Sequence, residues 1–266
     1  MGGQFPFCVN NISDWRISSV INYAFCGKIS LKMKKITLSV ALLLCAFFAS
    51  AHAVWIETAL KGTKNKAQDV RVFLGEYAAN ERDSVSNWFS NMKDVKLFVT
   101  TPAGGREEIA LKADGRSLNG QFTPATEGTY TLTISHTVET IYGETKIEYY
   151  ASATVVVGKE SASRLSAGTF LSVVPGTEEP KGFGSVPLTV YKDKAPLAAA
   201  KVEVISPDGR VKELKSGANG VVDFAPVQAG QYLVEASYNE KAEGTHHDKP
   251  YKSVVHIVTH SVNVKK

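Results

Sequence analysis

The side chains in this sequence best suited to chemistry are its six histidines, because imidazole both binds transition metals and moves protons near neutral pH. His52 lies in Ala49-Ser50-Ala51-His52-Ala53, where small residues recur two apart in the manner of a signal-peptidase site. Cleavage after Ala51 would make His52 the first residue and set a free α-amine beside its imidazole. Those two nitrogens close a chelate ring on one metal, and a second histidine would complete a nitrogen set suited to copper, nickel or cobalt. Cleavage after Ala53 fits the same rule and would discard His52.

His246-His247-Asp248 joins two imidazoles to a carboxylate, a composition that binds divalent metals when a loop lets the side chains converge. The plainer alternative is a solvated polar loop. His136 prolongs the inward phase of Tyr130, Leu132 and Ile134, so it either closes a metal site at the strand's end or packs as a structural histidine. The predicted metal ligands are thus His52, His136, His246, His247 and Asp248. His256 and His260 share one strand face but stand about 13 Å apart at about 3.3 Å per residue, too far for one ion. Both are expected to be sheet-face residues.

Nucleophilic catalysis finds no support. Neither G-x-S-x-G nor H-E-x-x-H occurs, and no nucleophile and base appear together, so the chain is expected not to be an enzyme. All three cysteines (Cys8, Cys26, Cys45) precede Ala51, which leaves the rest of the chain without disulfide or thiolate chemistry. The net charge of +4 misleads. Five basic residues and one acid (Asp14) lie before His52, and the chain from His52 onward carries 25 of each sign. A neutral chain offers no field to nucleic acid or anionic lipid. Trp55 and Trp88 could line a ligand surface, with core packing the better assignment for Trp55.

Met33-Lys34-Lys35, the apolar run over 36–48 and the A-x-A site read as a secretory signal peptide over 33–51, too short to anchor in a bilayer. Residues 1–32 then read as an over-called extension. Leu44 stands before Cys45 where lipidation needs a small residue. The remainder, 52–266, is expected to be periplasmic, with no stable membrane insertion.

That remainder reads as strands. Val70-Arg71-Val72-Phe73-Leu74, Tyr130-Thr131-Leu132-Thr133-Ile134 and Tyr232-Leu233-Val234-Glu235-Ala236 are short and rich in β-branched and aromatic residues, with Pro-Gly and Asn-Gly turns between such runs. An internal repeat organises them. Val99-x-x-Pro102-x-Gly104 recurs as Val204-x-x-Pro207-x-Gly209, and Phe122-x-Pro124-x-x-x-Gly128-x-Tyr130 recurs as Phe224-x-Pro226-x-x-x-Gly230-x-Tyr232. This is the grammar of an immunoglobulin-like sandwich with an inward Phe and Tyr at a corner. The predicted fold is all-β, two tandem immunoglobulin-like β-sandwich domains over 52–158 and 167–266, joined by a linker over 159–166. Walking the strand order gathers His52, Glu76, Glu81, Asp83, His136 and Glu139 at one tip of the first domain. The same walk sets the loop over 239–250 at the opposite end, facing the first domain.

Three stretches together resemble a family of exported bacterial proteins that carries a domain of unknown function and is linked to nickel and cobalt uptake (NikM-like). They are His52-Ala53-Val54-Trp55-Ile56-Glu57, Tyr149-Tyr150-Ala151-Ser152-Ala153-Thr154-Val155-Val156-Val157-Gly158, and Leu171-Ser172-Val173-Val174-Pro175 with Lys194-Ala195-Pro196-Leu197. Asn219-Gly220-Val221-Val222-Asp223-Phe224 is similar to the Ig-type module of carboxypeptidase-regulatory-like proteins. Gly75-Glu76-Tyr77 departs from the family where a further histidine is expected. The resemblance implies an accessory protein that binds a transition metal or metal complex (nickel, cobalt, copper or iron class) and serves an envelope transporter component. The alternative is a metal-free binding or spacer module for envelope proteins or glycans.

Overall fold

The computed structural model describes residues 52–159, 169–176 and 183–265. The extension and signal peptide expected over 1–51 lie outside them, as does the expected linker over 159–166 apart from Lys159. The β-branched runs form strands, as their propensity requires. In chain order these are β1 (Ala53–Thr58), β2 (Lys61–Gly62), β3 (Gln68–Glu76), β4 (Glu81–Arg82), β5 (Leu97–Thr100), β6 (Arg106–Ile109), β7 (Lys112–Asp114), β8 (Ser117–Phe122), β9 (Gly128–Thr137) and β10 (Thr145–Val157). The later strands are β11 (Leu171–Pro175), β12 (Val186–Lys192), β13 (Ala195–Pro196), β14 (Lys201–Ile205), β15 (Val211–Lys215), β16 (Val221–Phe224), β17 (Gly230–Glu240), β18 (Gly244–His246), β19 (Lys249–Tyr251) and β20 (Ser253–Val264). Short 3₁₀ turns at Val85–Asn87 and Met92–Asp94 lie between β4 and β5.

The protein is an all-β sandwich structure with two cores. One sheet runs β1-β3-β8-β7, another β11-β12-β13 with β16 beside β12, and a long sheet β15-β14-β17-β20-β10-β9-β5-β6 serves both. Side chains at alternate positions explain how one sheet can serve two cores. Tyr149, Ala151, Ala153, Val155 and Val157 of β10 enter the first core with Val54, Ile56, Leu132 and Ile134. Val258, Val262 and Val264 of β20 enter the second with Leu171, Leu188, Val190 and Val234. The cores therefore lie on opposite faces of the long sheet.

The repeat takes the same form twice. The Tyr130 hydroxyl receives the Thr126 N–H at 3.0 Å and donates to Thr126 O at 3.0 Å, while its ring sits 5.6 Å from that of Phe122. The Tyr232 hydroxyl receives the Val227 N–H at 3.0 Å and donates to Gln228 O at 3.2 Å, with Phe224 at 5.5 Å. These are the expected corners.

Where the two halves meet, the expectation of opposite ends is overturned. β10 pairs with β20 in parallel, from Thr145↔Ser253 to Ala153↔Ser261. The second sandwich thus lies beside the first, and the β18–β19 hairpin that precedes Ser253 comes to the same end as His52. The end-to-end walk failed because alternation within a strand says nothing about which distant strand it pairs with.

Candidate functional site

His52 directly precedes β1, whose first residue Ala53 lies opposite Gly75 of β3. The register of β3 with β4 sets Glu76 opposite Glu81, and Asp83 follows directly. His52, Glu76, Glu81, Asp83, His136 and Glu139 therefore share one end of the sandwich, together with the β18–β19 hairpin. Of these, the structure joins His52 and Asp83: Nε2 of the imidazole lies 3.2 Å from Asp83 Oδ2, with the His52 side chain 51% exposed.

Both partners are held from behind. The Tyr149 hydroxyl donates to His52 O at 2.8 Å, and burial raises the pKa of Tyr149 far above the usual phenol range, which keeps it a donor. Asp83 N–H donates to Leu74 O at 2.9 Å, and Trp88 Nε1–H donates to Asp83 O at 3.2 Å. Trp88 and Trp55 are both buried, so each is a packing residue. Beside this pair, Arg82 donates to Glu57 at 2.8 Å and lies over the Phe73 ring at 5.0 Å.

His136 points inward and is buried; desolvation lowers its pKa against the opposing pull of Asp94 and Glu148. Its Nε2 has no hydrogen-bond partner among the described residues. The packing-histidine alternative fits that position. His246 pairs with Lys249 across a two-residue turn in which His247 and Asp248 take φ of 46° and 61°, the left-handed region a tight hairpin turn requires. The His246 and His247 rings meet edge-on at 4.4 Å. No group of three His, Cys, Asp or Glu placed to hold a metal ion occurs among the described residues.

Sequence reasoning missed a polar chain along the β10–β20 seam. Tyr150 Oη lies 3.1 Å from His256 Nδ1, and His256 Nε2 lies 3.3 Å from Glu240 Oε2. Phe170 stacks on the His256 ring at 4.2 Å. Desolvation lowers the His256 pKa, and the hydrogen bond to Glu240 works against it. Four residues on, Ser152 Oγ lies 2.8 Å from Nδ1 of His260, which is 2% exposed and whose pKa burial pushes down to about 4. Both histidines face the second core, as their shared strand face implied. The available signal was that β20 carries no Asp, Glu, Lys or Arg in twelve residues, which fits a strand covered on both faces.

A family model described as a domain of unknown function (DUF4198) matches residues 49–240. No curated protein matches the chain. Among solved structures, a two fibronectin type-III domain segment from chicken tenascin is similar at 12% identity, covering 76% of this chain and 95% of that one, with a TM-score of 0.22.

Proposed function

The chain belongs to the DUF4198 family of unknown function, and we propose from its own residues that it is an exported, non-enzymatic accessory protein that binds a transition metal at its processed amino terminus. The observation that carries this is the His52–Asp83 contact at 3.2 Å. A carboxylate on Nε2 fixes that nitrogen as the N–H donor and leaves Nδ1, the nitrogen nearer the main chain, as the free lone pair. An α-amine released by cleavage after Ala51 would lie on the same side and close the chelate with Nδ1. Asp83 would then orient the imidazole, as outer carboxylates do for metal-bound histidines.

Nickel, cobalt and copper suit such a nitrogen pair, and the ion is cargo for a periplasmic uptake system. The transport role rests on the resemblance to nickel and cobalt uptake proteins. His246 and His247 lie at the same end of the molecule and are candidates for a further imidazole donor, with Asp248 beside them in the turn.

Native mass spectrometry of the protein exported by its own host tests this. The expected result is a chain that starts at His52 with one metal bound, lost on adding an N-terminal alanine. In Asp83→Asn the affinity is expected to fall about tenfold, the usual scale for an outer ligand partner. A start at Val54 with no metal would sink the proposal and leave the metal-free module.

A further inference from the structure

Strand β1 has β3 on one side only, so the carbonyls along its other edge need partners from elsewhere. Water cannot serve those of Val54 and Ile56, which are fully buried. Each alternate carbonyl instead meets a side chain. Tyr149 of β10 donates to His52 O at 2.8 Å, and Thr259 of β20 donates to Val54 O at 2.7 Å. Ser261 donates to Ile56 O at 2.5 Å and Asn263 to Thr58 O at 3.2 Å.

The spacing explains the match. Residues 259, 261 and 263 point from one face of β20, and residues 54, 56 and 58 recur at the same two-residue repeat along β1. A one-residue slip of β1 would turn every one of these carbonyls away, so the ladder dictates register. Thr259 and Ser261 are buried, and β20 is anchored in the second core through Val258, Val262 and Val264.

We infer that Thr259, Ser261 and Asn263 are positioning residues for the amino-terminal site, so that the second sandwich sets the metal affinity of a site built on the first. This rests on the metal-binding proposal above. The ladder fixes β1 along its length, and His52 follows at the strand's end without touching any of the three side chains itself. The second sandwich is then part of the binding machinery.

The test titrates nickel chloride into the exported protein, with cobalt and copper chloride as parallel arms. In Thr259→Val with Ser261→Ala, affinity is expected to fall about tenfold, the scale of two lost hydrogen bonds. Amide exchange at Val54 and Ile56 should speed up in the same variant. Thr259→Ser with Ser261→Thr keeps both hydroxyls and should restore both readouts to within about twofold. Should the double variant not fold, Asn263→Ala, at the half-buried end of the ladder, is expected to weaken binding about threefold. Unchanged affinity in a folded ladder variant overturns this inference and leaves the metal proposal standing. No binding by the unmodified protein overturns both.

Discussion

Each sandwich lays one strand of its smaller sheet across the other's half of the long sheet, and the two crossings are built differently. At the crossing of β1 on β20, Trp55 and Phe73 pack with Ile205 and Leu233, and the Tyr77 hydroxyl donates to Gln231 O at 2.7 Å. Gly209 belongs to this crossing: with φ of +82°, a β-carbon there would come within 2.2 Å of Ala78 O. At the crossing of β11 on β10, residues Thr131, Thr133, Ser152, Leu171 and His260 line a cavity of about 20 Å³. Thr133 Oγ1 has no partner among the described residues. The first crossing combines apolar burial with a register-setting ladder of hydrogen bonds. The second has hydroxyls facing an incompletely filled space, room for about one water.

The contrast predicts unequal costs. Trp55→Ala removes the largest side chain of the closed crossing, which stacks on Phe73 at 5.5 Å. Stability is expected to drop by about 3–5 kcal/mol, the range for a buried aromatic truncation. Chemical denaturation measures it, and a loss under about 1 kcal/mol would show that the crossing carries little of the fold.

Each crossing also holds one titratable group against its preference, so pH separates them. His260 lines the open crossing, and its folded pKa of about 4 lies below its ordinary 6.5. Its neutral form is favoured in the folded chain, so that contribution is full above pH 6.5 and lost as pH falls through about 4. The loss is expected to be on the order of 3 kcal/mol, and His260→Gln should flatten this acid limb. Glu235 stands opposite Thr259 at the closed crossing, where burial, then Glu203 and Glu76, push its pKa up to about 8. There the sign reverses: stability is full below its ordinary 4.5 and lost as pH rises through about 8. Glu235→Gln should remove the alkaline limb. Denaturation midpoints measured from pH 4 to 9 that moved alike in both variants would break the assignment of one limb to each crossing.

The smallest effect is the sharpest test of the contrast. Thr133→Val replaces an unpartnered hydroxyl with a methyl of like shape and should stabilise the protein by about 1 kcal/mol. A destabilisation of that size, read from thermal melts, would mean the hydroxyl is satisfied and the second crossing is closed like the first.

The corners were legible because the Phe-x-Pro and Gly-x-Tyr spacings act within a few residues. Tyr130 and Tyr232 each bond to backbone groups four or five positions away, where sequence order fixes proximity. His52 and Asp83 were legible as members of one tip because β1, β3 and the following turn are consecutive. Their contact was not, since it depends on how Leu74 and Trp88 hold Asp83. The roles of Thr259, Ser261 and Asn263 were invisible: on a strand, small hydroxyl and amide side chains look the same whether they face solvent or another strand's carbonyls.

By itself, then, the sequence determined the strands, their inward faces and the duplicated corners, because alternation and turn chemistry are local and survive in any packing. Only the tertiary structure decided that β10 and β20 pair in parallel, that one sheet carries two cores and that the strand following His52 is clamped by β20. Those outcomes join residues about a hundred or more positions apart, from Thr145↔Ser253 to Val54 and Thr259. Which distant edges meet is settled by the total surface buried when both cores close together, and no periodicity within a single strand records that sum.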